Sequence, residues 1–92
     1  MLTYDYDPAV IRIAESQNED DTEFQIRIMQ EQPYWEAMKR VQKTFDEDRH
    51  YTDVLFYVYP EHEYKVIVRR EHYADFVLEL IKRRLLRKVE WA

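Results

Sequence analysis

The sequence predicts an α+β fold, a two-layer sandwich in which two helices cover a four-stranded, mainly antiparallel sheet in the order ββαββα. Three observations carry this: two pairs of alternating apolar runs, two longer runs at helical spacing, and a likeness between the two halves of the chain. The nonapeptides EFQIRIMQE (23–31) and EYKVIVRRE (63–71) each have Glu at both ends, an aromatic second residue and branched apolar residues fourth and sixth. They mark a candidate ββα repeat, residues 9–48 and 52–91, within a single domain spanning 1–92.

Taken in order, AVIRIAE sets Ile11 and Ile13 on one face with Arg12 on the other, which is the pattern of a half-buried strand. The polar stretch SQNEDDT reads as a turn, and EFQIRIMQ then aligns Phe24, Ile26 and Ile28. Pairing Ile13 with Phe24 and Ile11 with Ile26 gathers all five apolar residues on one side of a hairpin. Pro33 suits a first helical turn, and Tyr34, Ala37, Met38, Val41 and Phe45 recur at helical spacing. Asp46, Glu47 and Asp48 are poorly placed at the C-terminus of such a helix, so fraying or a loop is expected there.

In the second half, DVLFYVYP and EYKVIVRR flank PEHE. A four-residue loop would pair Tyr59 with Tyr64, Tyr57 with Val66 and Leu55 with Val68, setting Leu55, Tyr57, Tyr59, Tyr64, Val66 and Val68 on one face. The opposite face, with Val54, Phe56, Val58 and Ile67, is also apolar, which predicts burial on both sides. Apolar residues at 73, 76, 77, 80, 81, 85 and 89 predict that the last and longest helix runs from about 71 to 90.

Composition excludes several chemistries. No glycine occurs in 92 residues, so phosphate-cradling loops are not expected, and turns needing positive φ should fall on Asn or Asp. The absence of cysteine removes disulfides and thiolate metal sites. Nothing at the start has a targeting pattern and no run is long enough for a membrane span, so a cytoplasmic protein without a membrane partner is expected. The formal charge of −5 is uneven: residues 1–60 carry −7 and residues 61–92 carry +2.

With both helices on one side, the other sheet face is uncovered. Leu55, Tyr57, Tyr59, Tyr64 and Met29 are its candidate partner-binding residues. This predicts a non-catalytic protein that acts by protein–protein association, as a homodimer or with another protein. A rival reading takes Lys82, Arg83, Arg84, Arg87 and Lys88 in KRRLLRK as a nucleic-acid-binding helix face. A second takes the acidic run ESQNEDDTE as a mimic of nucleic acid that inhibits a basic protein. A third sets His50 and His72 at the open end of the second hairpin, with Asp48, Asp53 and Glu71 nearby, as candidates for an N/O metal site in a small enzyme. His62, in PEHE, reads as a solvated turn residue. No cofactor motif and no recognised nucleophile arrangement is present.

Overall fold

The computed structural model describes residues 2–48 and 53–92. Their order is β1 (Leu2–Asp5), β2 (Ile11–Gln17), β3 (Asp21–Ile28), α1 (Glu31–Glu47), β4 (Val54–Tyr59), β5 (Glu63–Arg69), a single 3₁₀ turn (Arg70–His72), α2 (Tyr73–Lys82) and β6 (Lys88–Trp91). Strands β2 to β5 form an antiparallel sheet in the order β2-β3-β5-β4, and β1 pairs with β6 as a separate ribbon. The two similar nonapeptides lie side by side at the centre of the sheet, with Phe24 opposite Val66, Gln25 opposite Lys65 and Ile26 opposite Tyr64.

Alternation sends one set of side chains under the helices. Ile11, Phe24, Ile26, Ile28, Val54, Tyr64, Val66 and Val68 are buried on this inner face, against Met38, Val41 and Phe45 of α1 and Phe76, Val77 and Leu80 of α2. α1 runs to Glu47, through the acidic residues expected to fray it, because Phe45 is anchored in the core. Regular helix begins at Pro33, after an extended Gln32 and a cis Gln32–Pro33 bond.

Both hairpin registers differ from those expected. In the first, Ile11 faces Ile28, Ile13 faces Ile26 and Glu15 faces Phe24. The turn is tighter than expected: the Asn18 N–H donates to the Asp21 carbonyl at 2.9 Å, and the Asn18 amide donates to the Asp21 carboxylate at 2.7 Å. A shift of two residues preserves the faces, so the inward set was right. In the second, Val54 faces Val68, Phe56 faces Val66, Val58 faces Tyr64 and Tyr59 faces Glu63. That slip of one residue turns β5 over relative to β4, so Tyr64, Val66 and Val68 join the core while Leu55, Tyr57 and Tyr59 face outward. Glu61 (φ 65°) and His62 (φ 59°) adopt left-handed backbone and close the shorter loop. Among the described residues positive φ thus falls on Glu61, His62 and Arg84, not on Asn or Asp.

The last helix also differs. It stops at Lys82 in a Schellman motif: the Arg84 N–H donates to the Ile81 carbonyl and the Leu85 N–H to the Leu80 carbonyl, both at 2.9 Å. Arg84 takes the left-handed position at φ 65°. Buried Leu80 and Leu85 make the apolar contact usual for this cap. Residues 88–91 then form β6 on β1, with Leu2 opposite Trp91 and Tyr4 opposite Val89. No helix among the described residues is long and apolar enough to cross a membrane.

Candidate functional site

Among the described residues nothing covers the outer face of β4, and the character of that sheet face changes across the strands. Arg12, Glu23, Gln25 and Arg27 make the β2–β3 side polar. Arg27 bridges Glu61 at 3.1 Å and Glu63 at 3.6 Å, all of them solvent-exposed. An open cavity of about 710 Å³ lies over this side, with Tyr6, Arg12, Gln25, Arg27, Tyr59 and Lys65 on its walls. The β4 side is apolar: Leu55, Tyr57 and Tyr59 remain 47%, 44% and 44% exposed, with Ile67 of β5 beside them. The Lys65 ammonium sits 5.0 Å from the centre of the Tyr57 ring.

Of the five residues expected to form a partner surface, the structure therefore brings three together. Tyr64 is 4% exposed and belongs to the core, for the register reason above. Met29 is 41% exposed at the end of β3, separated from β4 by β5. Sequence reasoning missed Val58, 59% exposed at the sheet margin although it has inner-face parity.

The five cations expected along one helix are divided. Lys82, Arg83 and Arg84 line a cavity of about 490 Å³ together with Arg40 and Tyr34. The Arg83 guanidinium is held by buried Glu79 at 2.8 Å. Past the end of α2, the Arg87 N–H donates to the Asp5 carbonyl at 2.9 Å, and Lys88 pairs with Glu90 on β6 at 3.5 Å. The acidic turn is pinned, because the Arg70 N–H donates to the Asp20 carbonyl and its guanidinium to the Glu19 carbonyl.

His50 lies outside the described residues. Asp53, Glu71 and His72 do meet, with one potential ligand atom from each lying within 4.8 Å of the others. The His72 Nδ1 is 3.5 Å from the Asp75 carboxylate. This trio has the donor set for a divalent cation. Acidic side chains at the start of α2 also complement the helix dipole without an ion. His62 is not a freely solvated turn residue: its ring lies 4.3 Å from that of Trp35, and its Nε2 is 4.0 Å from Glu31.

A cluster absent from the sequence reading lies beside the ribbon. The Tyr4 and Tyr73 hydroxyls both donate to Glu15 Oε2, the latter at 3.0 Å. The signal was present, since Glu15 continues the inward alternation of Ile11 and Ile13. Burial first, and then the Glu15 carboxylate, raise the pKa of both phenols. The folded state thus holds these protons more tightly than the unfolded chain. Their contribution to stability is complete below the ordinary phenol pKa of about 10 and is lost as pH rises through the raised folded values. Urea unfolding should show stability falling above about pH 10. Tyr4→Phe with Tyr73→Phe should flatten that fall without abolishing it, because burial raises Tyr64 in the same direction. An unchanged slope in the double variant would assign the effect elsewhere.

Comparison with family models, curated proteins and solved structures finds no match to this chain.

Proposed function

We propose that the protein acts by protein–protein association through the outer face of β4, with a second copy of itself or with another protein, and without chemistry of its own. The observation that carries this reading is the column of Leu55, Tyr57 and Tyr59, three large side chains adjacent on an uncovered face and each nearly half exposed. Tyrosine suits such a surface because it offers a large apolar area and a polar tip with little rotamer entropy to lose. The pairs Arg27–Glu61 and Arg27–Glu63 give the adjoining face a polar rim, and the acidic turn and the basic end of α2 offer charges that could orient a partner. The same reading treats the halves as a duplicated ββα unit, supported by the antiparallel pairing of the two nonapeptides about Gln25 and Lys65.

Light scattering across a concentration series, and pull-down with the purified chain as bait, test the proposal. Tyr57→Ala with Tyr59→Ala should weaken association while leaving the urea midpoint near that of the parent, as expected for surface positions. Association that survives this double substitution would overturn the reading. The rival nucleic-acid reading draws on Arg40, Lys82 and Arg84, which line one cavity and make no ion pair among the described residues. It would be recognised by binding that falls steeply with salt and is indifferent to Tyr57 and Tyr59.

A further inference from the structure

The sheet has two edges, and the chain treats them differently. At β2 two of the outward-pointing backbone groups are taken up by the N-terminal segment: the Ile11 N–H donates to the Asp7 carbonyl at 3.1 Å, and the Ile13 carbonyl accepts the Tyr6 hydroxyl at 3.2 Å. At β4 the Arg69 N–H donates to the Asp53 carbonyl at 3.2 Å, which marks the Asp53–Arg69 position as a hydrogen-bonded pair. By antiparallel alternation Leu55, Tyr57 and Tyr59 also bond inward to β5, and the N–H and C=O groups of Val54, Phe56 and Val58 point away from the sheet. No described residue takes up these groups. The strand VLFYVY has no charge, no proline and no bulge in its pairing, so it lacks the usual devices that block edge pairing.

We infer that the partner of this edge is a second copy of the chain, with β4 pairing antiparallel to β4 about a two-fold axis at Phe56 to give one eight-stranded sheet. The inference rests on the association reading above and supplies its partner. What fits this edge must offer outward N–H and C=O groups at every second residue of an uncharged extended segment, and β4 is itself such a segment. Pairing about Phe56 sets Val54 against Val58 of the second copy and Phe56 against its counterpart, with about six hydrogen bonds along the seam. On the outer face the row becomes Ile67, Leu55, then Tyr57 and Lys65 of the second copy, so the apolar columns merge. Asp53 falls opposite Tyr59, and no charge faces a like charge across the seam. A six-residue seam is small beside the roughly 800 Å² per partner of a standard interface, so the dimer should be weak and concentration-dependent.

Sedimentation equilibrium up to about 1 mM, with amide hydrogen exchange at the two ends of that range, tests it. Amides of Val54, Phe56 and Val58 should become protected only at high concentration, while those of Leu55, Tyr57 and Tyr59 are protected throughout. Val58→Pro removes an N–H that the β4–β5 ladder does not use and should weaken dimerisation about tenfold or more. Val58→Lys, at an exposed side chain, should do the same if proline perturbs the strand. A dimer unaffected by both edge variants but weakened by Tyr57→Ala with Tyr59→Ala overturns the edge pairing and leaves association through the face standing. A monomer at every concentration overturns the edge pairing, and capture of a different protein that depends on Tyr57 and Tyr59 would then still support the face.

Discussion

Phe76→Ala is expected to destabilise the protein by about 3–5 kcal/mol. The Phe76 ring has no solvent exposure and sits 4.7 Å from Phe24, 5.8 Å from Phe45 and 6.1 Å from Phe56, centre to centre. These partners come from β3, α1 and β4, so one side chain of α2 joins both hairpins and both helices. Truncation removes edge and tilted ring contacts along with the transfer energy of the buried ring, and it leaves a cavity that four separate elements would have to close. For a 92-residue chain, a total stability of roughly 5–14 kcal/mol makes that loss a large share. Urea unfolding followed by circular dichroism should show a much lower midpoint with an unchanged slope. A loss below about 1 kcal/mol would mean that the core repacks around the gap and that Phe76 is not its joint.

Arg83→Met should cost about 2–3 kcal/mol, more than an exposed ion pair is worth. Glu79 is only 9% exposed, and its Oε1 accepts from Arg83 Nε at 2.8 Å and from the Thr44 hydroxyl at 3.1 Å. Arg83 also reaches the Thr44 oxygen at 3.3 Å, which joins the ends of α1 and α2. Without the guanidinium, a buried carboxylate keeps one neutral donor, and that desolvation is the main cost. The figure stays below that of a fully buried pair because the Arg83 side chain is 28% exposed. Combining Arg83→Met with Glu79→Leu should recover most of the loss, since the stranded charge goes with its partner. A double-mutant cycle in urea measures this, and strictly additive losses would show that the two side chains act independently.

The architecture was legible wherever binary pattern alone decides it. Ile11, Ile13, Phe24, Ile26 and Ile28 share the inner face under either first-hairpin register, because an error of two residues leaves parity unchanged. The second hairpin was more exposed to error. Both of its faces are apolar, so pattern could not choose between registers, and the choice passed to a loop closed by left-handed Glu61 and His62. In a chain without glycine, nothing marks where such residues fall. The same holds for Arg84: residues 85 and 89 continue the helical spacing of α2, yet the chain turns at 84 and Val89 packs from a strand. The site followed the same division. Leu55, Tyr57 and Tyr59 were placed outward under both registers, whereas Tyr64 depended on the one that failed. β1 and β6, four residues each, are too short for periodicity to announce, and each gains its structure from a partner at the far end of the sequence.

That last pairing bears on how the molecule comes to be made. Leu2 leaves the ribosome well before Trp91, yet the two end up opposite each other. β3, likewise, waits for β5 to complete the middle of the sheet. Contacts of such long sequence separation form late and slowly. During synthesis the first hairpin must therefore hold Phe24, Ile26 and Ile28 without their final cover, and the Tyr4 hydroxyl can settle on Glu15 alongside that of Tyr73 only once α2 has been translated.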